Sequence, residues 1–308
     1  MKILVTGGAG FIGSHIVDAL IERGDEVVVV DNVSTGLKDN VNPKTKLYEM
    51  SITDPRLVEV FKRETPEMVS HHAAQVNLRR SVDEPQFDAE VNILGSLNLI
   101  VNSVRYGVKK LIYASSGGAI YGEPQYLPVD ESHPINPVSQ YGVSKHTVEH
   151  YLHSYIQYGL NYVALRYPNV YGPRQNPEGE AGVIAIFARQ ILVGERPTIF
   201  GPGDKTRDYT HVSDIVGAHL LAMERGSNAI YNIGTGVETS DQEIFDAIAQ
   251  ALGYEDTPLY TSVRQGEIQR MCLNCDKAKK ELGWSPKLSL EEGVQETVPY
   301  YKSLGVSR

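Results

Sequence analysis

The eight residues Thr6-Gly7-Gly8-Ala9-Gly10-Phe11-Ile12-Gly13 constrain this chain more than any other segment. They lie between a short β-branched run and an amphipathic stretch, so a strand must turn at once into a helix. Glycine makes this possible, because backbone without a Cβ turns tightly and lets a ligand approach the unpaired amides at the helix start. Those amides suit a pyrophosphate. Two overlapping spacings fit, Gly8-x-Gly10-x-x-Gly13 and Gly7-x-x-Gly10-x-x-Gly13. The next β-branched run, 27–30, closes on Asp31. A carboxylate at that place accepts from the ribose hydroxyls of a dinucleotide and repels a 2′-phosphate. No Arg follows in Asn32-Val33-Ser34-Thr35-Gly36, so the expected cofactor is NAD rather than NADP.

The alternation begun there continues. Periodicity predicts strands over 3–5, 27–30, 47–50, 68–71, 111–114 and 162–166, and helices over 11–23, 55–62, 85–106 and 138–158. Asp54-Pro55 marks the start of the second helix, since Asp caps free amides and Pro in the first turn loses no hydrogen bond. Such a pattern makes βαβ units and an α/β fold with a doubly wound parallel sheet of the Rossmann kind. Beyond Tyr167 Pro and Gly become frequent and the alternation fails, which predicts a smaller, discontinuous α/β substrate-binding lobe. The expected division is 1–166, mainly dinucleotide-binding, and 167–308, mainly the second lobe with segments returning to the first.

With 29 Lys and Arg against 38 Asp and Glu the net charge is −9, which argues against nucleic acid or an anionic membrane as partner. No apolar run reaches the roughly 18 residues of a membrane span, and no signal-peptide pattern opens the chain. The two cysteines, Cys272 and Cys275, fit a reducing compartment, so a cytoplasmic location is expected.

Tyr141-Gly142-Val143-Ser144-Lys145 puts a phenol and an ammonium on one face of the helix over 138–158. A free phenol is a poor base at neutral pH, but a neighbouring Lys and a positive nicotinamide both favour phenolate. Upstream, Ser115-Ser116-Gly117-Gly118-Ala119-Ile120-Tyr121-Gly122 ends a strand at the carboxyl edge of the sheet, where a hydroxyl can share a proton with a substrate oxygen.

On these residues the chain resembles the extended short-chain dehydrogenase/reductase family, and within it the UDP-glucose 4-epimerase branch of NAD-dependent nucleotide-sugar epimerases and dehydratases. Further support comes from Ala73-Ala74-Gln75, Asn92, Arg166-Tyr167-Pro168-Asn169-Val170-Tyr171-Gly172-Pro173-Arg174, Arg207-Asp208-Tyr209-Thr210-His211-Val212 and Leu282-Gly283-Trp284-x-Pro286. The resemblance implies Tyr141 as catalytic base and Lys145 as the group that holds the nicotinamide ribose and lowers the phenol, with Asn92 supporting Lys145. It implies NAD contacts from Gly7, Gly10, Phe11, Ile12, Gly13, Asp31, Asn32, Ser34, Thr35 and Gly36, from Ser51 and Ile52, from Ala73, Ala74 and Gln75, and from Tyr167 and Pro168. For a UDP-sugar it implies Asn169, Val183, Thr198, Phe200, Arg207, Arg264 and Glu267, with Met271 at the wall beside the sugar C2 substituent.

Three positions depart from the family pattern. The catalytic Ser or Thr falls on Gly117, one residue after Ser116, which is then the candidate hydroxyl. Ser51 stands where Asp is usual, and Glu267 replaces Asp in Arg264-Gln265-Gly266-Glu267. The Asp-Glu pair of a 4,6-dehydratase would occupy Gly118-Ala119, which favours interconversion of UDP-glucose and UDP-galactose over a dehydratase, a decarboxylase or a non-catalytic dinucleotide sensor. The helices over 85–106 and 138–158 resemble a pair that forms a dimer interface in this family, so a homodimer is expected.

Other groupings read as structural. Cys272-Leu-Asn-Cys275 lacks a second cysteine pair, and His146, His150 and His153 lack a carboxylate in register, so no metal site is expected. His71-His72 reads as core or cofactor wall.

Overall fold

The computed structural model describes residues 1–178, 182–264 and 267–305. Seven parallel strands form the main sheet: β1 (Lys2–Thr6), β2 (Glu26–Asp31), β3 (Lys46–Glu49), β4 (Met68–His71), β5 (Lys110–Ser116), β6 (Asn161–Tyr167) and a strand from much later in the chain, Ala229–Asn232. Their spatial order runs Ala229–Asn232, β6, β5, β4, β1, β2, β3. Alternate side chains divide between the two faces. Ile3, Val5 and Val29 pack with Ile16, Val17 and Leu20 on one side, while Leu4, Val28 and Val30 pack with Leu57, Phe61 and Leu99 on the other. Strands buried on both faces read as near-continuous apolar runs, which is why the sheet was visible in the sequence. The order reverses between β1 and β4, the place where sheets of this kind form a crevice at the carboxyl ends of the strands.

The expected helices form with two informative differences. The helix predicted over 85–106 is broken into Pro85–Ala89, a π turn Glu90–Gly95 and Ser96–Arg105. A π turn inserts an extra residue without ending the helix, so apolar periodicity does not reveal it. Before it lies a short helix, Leu78–Asp83, capped by the Asn77 side chain; its mixed polar sequence carried no periodic signal. The start signal Asp54-Pro55 makes a turn of its own, Asp54 accepting from the Arg56 amide at 2.8 Å, and the helix proper runs Leu57–Glu64.

Beyond β6 the chain builds a separate core from Ile184, Phe187, Ile199, Tyr209, Ile244, Phe245, Val294 and Val298. Two returns tie it to the sheet. Ala229–Asn232 adds beside β6, and the Trp284 indole N–H donates to the Asp214 carbonyl at 2.9 Å, on the helix Val212–Glu224.

A buried network fixes the helix Gln140–Ser154 to the sheet. Arg166 on β6 makes a bidentate pair with Glu149, at 2.9 Å from Nε and 2.6 Å from Nη2. Ser115 donates to the same carboxylate at 2.6 Å, and Arg166 also donates to the Tyr121 hydroxyl at 2.7 Å, which donates in turn to Asn232 at 2.7 Å. Burial raises the Glu149 carboxyl, but Arg166, His146 and Ser115 outweigh burial and hold it at about 2, against a usual 4.5. The resulting stabilisation is complete above about pH 4.5 and is lost as the pH falls towards 2. Glu149→Gln strands the Arg166 charge, so urea unfolding at pH 7 is expected to show a loss of about 3–5 kcal/mol. That difference should shrink when the measurement is repeated near pH 3; an unchanged difference would contradict the assignment.

Candidate active site

The glycine turn shows which of its two spacings the backbone enforces. Gly7 has φ +73°, and a Cβ there would lie 2.6 Å from the Ala73 amide nitrogen; a Cβ on Gly13 would lie 2.1 Å from the Gly7 carbonyl oxygen. Gly7-x-x-Gly10-x-x-Gly13 therefore carries the turn. Gly8 is crowded by the Val29 side chain, at 2.7 Å. The helix Phe11–Glu22 begins at Gly10 with no side-chain cap, leaving its first amides open to an anion.

Asp31 does more than the sequence indicated. Its carboxylate accepts from the Ala9 amide at 2.9 Å and from the Val33 amide at 2.7 Å, joining the glycine turn to the loop after β2. On that loop Asn32 accepts from the Ser34 amide and hydroxyl, Thr35 is exposed, and Gly36 packs against the Ala9 carbonyl. Ser51 shares a 2.8 Å hydrogen bond with Thr53, and Ile52 is buried against Gly95. Ala73 donates to the Thr6 hydroxyl, and the Gln75 amide donates to Asn92 Oδ1 at 2.8 Å. A cradle of open amides, a closed carboxylate hook and flanking β4 residues fit a dinucleotide.

Tyr141, Lys145 and Ser116 come together at the carboxyl ends of β5 and β6. Ser139 caps the helix that carries the first two. Lys145 is buried, and its Nζ donates to the Ala114 carbonyl at 2.9 Å, 5.8 Å from the centre of the Tyr141 ring. Burial pulls the ammonium down to about 8, with Asp88 and Glu149 acting upward. The Tyr141 phenol is pushed up to about 12 by burial, with Ser116 in hydrogen-bonding reach lowering it and Asp88 raising it. In this arrangement burial has the largest effect on the phenol.

A Cβ on Gly117 would lie 2.5 Å from Leu273 Cδ1, so a side chain there would require Leu273 to move. Ser115 is committed to Glu149, which leaves Ser116 as the hydroxyl beside the phenol. Asn92 reaches Ser144 at 3.3 Å and Asp88 at 2.9 Å, so it bears on Lys145 through its neighbour rather than by contact. Asp88, the buried acid of this cluster, was not singled out by the sequence.

On the far side of the crevice, Asn169 opens the strand Asn169–Tyr171 and its amide donates to the Asp208 carbonyl at 3.0 Å. The Asp208 carboxylate accepts from the Thr235, Gly236 and Leu273 amides, which makes it a brace for two loops. Arg207 donates to the carbonyls of Thr206 at 2.7 Å and Ile268 at 2.5 Å. Arg264 lies over the Phe200 ring at 3.6 Å, and Thr198 and Phe200 share the strand Thr198–Phe200. Glu267 accepts from Lys205 at 2.8 Å, a cation the sequence reading missed. Gln265 and Gly266, the middle of that motif, lie outside the described residues. Val183 opens the helix Val183–Leu192, and Tyr167 is buried beside a half-buried Pro168. Met271 is 2% exposed, inside a cluster with Tyr121, Val129 and Leu273.

The groupings read as structural have structural partners. His71 spans Thr6 and Ser96 at 2.8 Å each, and burial pushes the Cys272 thiol up to about 12.

The family model for the NAD dependent epimerase/dehydratase family matches residues 3–234. The chain belongs to that family. A UDP-glucose 4-epimerase of Mycolicibacterium smegmatis is 42% identical, over 98% of this chain and 99% of its own. The structure of a Thermotoga maritima UDP-glucose 4-epimerase with UDP-glucose is 50% identical, covers 99% of both chains and superposes with a TM-score of 0.97. A UDP-N-acetylglucosamine 4-epimerase of Methanobrevibacter ruminantium, in complex with UDP-N-acetylmuramic acid, is 35% identical over 98% of both chains, TM-score 0.94. As a member of this epimerase/dehydratase family the chain is an NAD-dependent nucleotide-sugar epimerase. Gly13→Ala should force the Gly7 carbonyl aside, at about 1–3 kcal/mol of stability. Purified Gly13→Ala protein is expected to retain far less NAD than the parent when the released nucleotide is quantified by chromatography; equal retention would contradict the cradle.

Proposed function

We propose that this enzyme interconverts UDP-glucose and UDP-galactose by inverting C4 through a transient 4-keto sugar. The observation that carries the reading is the short turn Gly117–Ile120. It stands between Ser116 and Tyr121 at the sheet edge, bears no acid, and leaves a Cβ on Gly118 3.7 Å from Asn169 Oδ1. Elimination of water from the sugar requires an acid–base pair next to the reacting carbons; inversion requires a hydride carrier, a base and room, with no second acid.

When bound, NAD supplies a positive nicotinamide beside the phenol and takes and returns the hydride of the sugar's C4. Tyr141 accepts the C4 hydroxyl proton and gives it back after the keto sugar has turned. Ser116 donates to the same sugar oxygen, and the Lys145 charge favours the phenolate. Arg207 and Arg264 offset the pyrophosphate charge, since guanidinium forks match phosphate oxygens. Phe200 lines the base pocket and Glu267 accepts from the nucleotide ribose. The likeness to relatives that act on UDP-glucose supports this choice of sugar.

The test is incubation with UDP-glucose, UDP-galactose and their N-acetyl forms without added NAD, following C4 inversion by proton NMR. UDP-glucose and UDP-galactose should equilibrate. Ser116→Ala should slow turnover by about 10²-fold or more, and Tyr141→Phe further still. Unchanged turnover in Ser116→Ala would remove that hydroxyl from the mechanism.

We also propose a homodimer. The helices Ser96–Arg105 and Gln140–Ser154 pack side by side and leave Val101 and Val143 about half exposed, with Leu94 of the π turn 60% exposed. An apolar patch of this kind suits an isologous contact. Light scattering should give twice the chain mass, and Leu94→Asp should return it to one; a monomeric parent at micromolar concentration would refute the assignment.

A further inference from the structure

We propose that Lys205 is a positioning residue for the nucleotide: it holds the Glu267 carboxylate apart from Arg264, so that the acid serves the ribose hydroxyls and the guanidinium the diphosphate. The inference deepens the UDP-sugar reading and rests on it.

Lys205 stands just before the strand Thr206–Arg207, which pairs antiparallel with Thr239–Ser240. That ladder brings it to the start of the helix Asp241–Leu252, where the Asp241 amide donates to the Lys205 carbonyl at 3.1 Å. The ammonium meets two carboxylates, Asp241 at 3.2 Å and Glu267 Oε2 at 2.8 Å. Asp241 is buried and Glu267 is exposed. The ammonium is therefore anchored on one acid and leaves the other open to a ligand.

The segment that carries Glu267 follows the same strand. Arg207 donates to the Ile268 carbonyl at 2.5 Å, and the Thr206 amide donates to the Gln269 carbonyl at 3.0 Å. Residues 205–207 thus hold residues 267–269, and Lys205 is the one that meets the acid. With this backbone an Asp at 267 would fall one methylene short of the ammonium.

The other oxygen of Glu267 has a competitor. Arg264 Nη1 lies 3.8 Å from Oε1, while its guanidinium covers the Phe200 ring at 3.6 Å. Without Lys205 the acid and the guanidinium would close on each other. Both would then be lost to a nucleotide, because a carboxylate engaged by Arg is a poorer acceptor for a hydroxyl, and a neutralised guanidinium no longer offsets a diphosphate. Burial raises the Glu267 carboxyl, but Lys205, aided by Arg264 and Arg207, outweighs burial and holds it below its usual value, so it stays an acceptor. Neighbouring acids are engaged elsewhere: Asp204 accepts from Gln269 at 3.2 Å, and Glu238 pairs with Arg270 and accepts from Thr206.

The test uses the NAD-loaded protein and two probes, UDP and 2′,3′-dideoxy-UDP, with affinities read by calorimetry. The dideoxy probe keeps the base and diphosphate and lacks both hydroxyls. The parent should bind UDP more tightly. In Lys205→Met that advantage should shrink by about fivefold, and Lys205→Arg should retain it. Glu267→Asp should show the same shrinkage, and the double variant no further loss, since both changes break one contact. NAD content and Tm establish that the fold is kept; if Lys205→Met does not fold, Lys205→Gln is measured the same way. An unchanged ratio, or equal weakening of both probes, would reduce Lys205 to a brace of the fold and overturn the proposal.

The two readings fail separately. Shrinkage in a protein that does not invert C4 of UDP-sugars would refute the epimerase reading and support the role of Lys205. Inversion with an unchanged ratio would do the reverse, and a parent that binds both probes equally has no ribose acceptor for Lys205 to position, which also refutes the proposal.

Discussion

A buried ion pair sets the distance between the sheet and the helix that carries Tyr141 and Lys145. Arg166 belongs to β6 and Glu149 to the helix Gln140–Ser154, and their two parallel hydrogen bonds allow little relative movement. Glu149 is one helical turn from Lys145 and two from Tyr141. Ser115, next to Ser116, is held by the same carboxylate. Lys145, Tyr141 and Ser116 are therefore referred to one rigid point, while Tyr121 and Asn232 extend the bracing to the outermost strand. Such a pair contributes modestly as net stability, because desolvation offsets the Coulomb gain. Its contribution is geometric.

Some of this was legible in the sequence and some was not, for physical reasons. The glycine turn could be read because its demand is on backbone: Gly7 must adopt a positive φ and Gly13 must leave room for a carbonyl. The pair Tyr141 and Lys145 could be read because helical spacing alone puts four-apart residues on one face. Ser116 could be suspected but its surroundings could not be read, since Leu273 reaches Gly117 from the other half of the chain. The surroundings of Met271 were not legible for a related reason: its place in the motif is local, but its partners Tyr121 and Val129 are tertiary. Asp88 left no signal, because an acid between Phe87 and Ala89 reads as an ordinary solvated helix residue until the π turn is known.

The second half of the chain supplies anchors more than a free-standing lobe. Asp208, flanked by Arg207 and Tyr209, is spent on loop amides. Its carboxylate is buried, so the loops that carry Thr235, Gly236 and Leu273 are fixed to the segment that holds Arg207 and Tyr209. Arg264 lies over Phe200 close to the same side, where Glu267 pairs with both Lys205 and Arg264.

The late strand Ala229–Asn232 has a consequence for how the molecule is made. It completes the sheet by pairing with β6, whose own residues end at Tyr167. A ribosome must therefore deliver more than sixty further residues before β6 gains its outer neighbour. Until then the edge of β6, Tyr162-Val163-Ala164-Leu165, offers unpaired amides and carbonyls on an apolar strand, the kind of surface that templates misassembly. Parallel pairing across so long a separation is also slow to nucleate. The nascent chain thus passes through an interval in which a nearly complete sheet has an open edge, and chaperone capture or self-association would act there first.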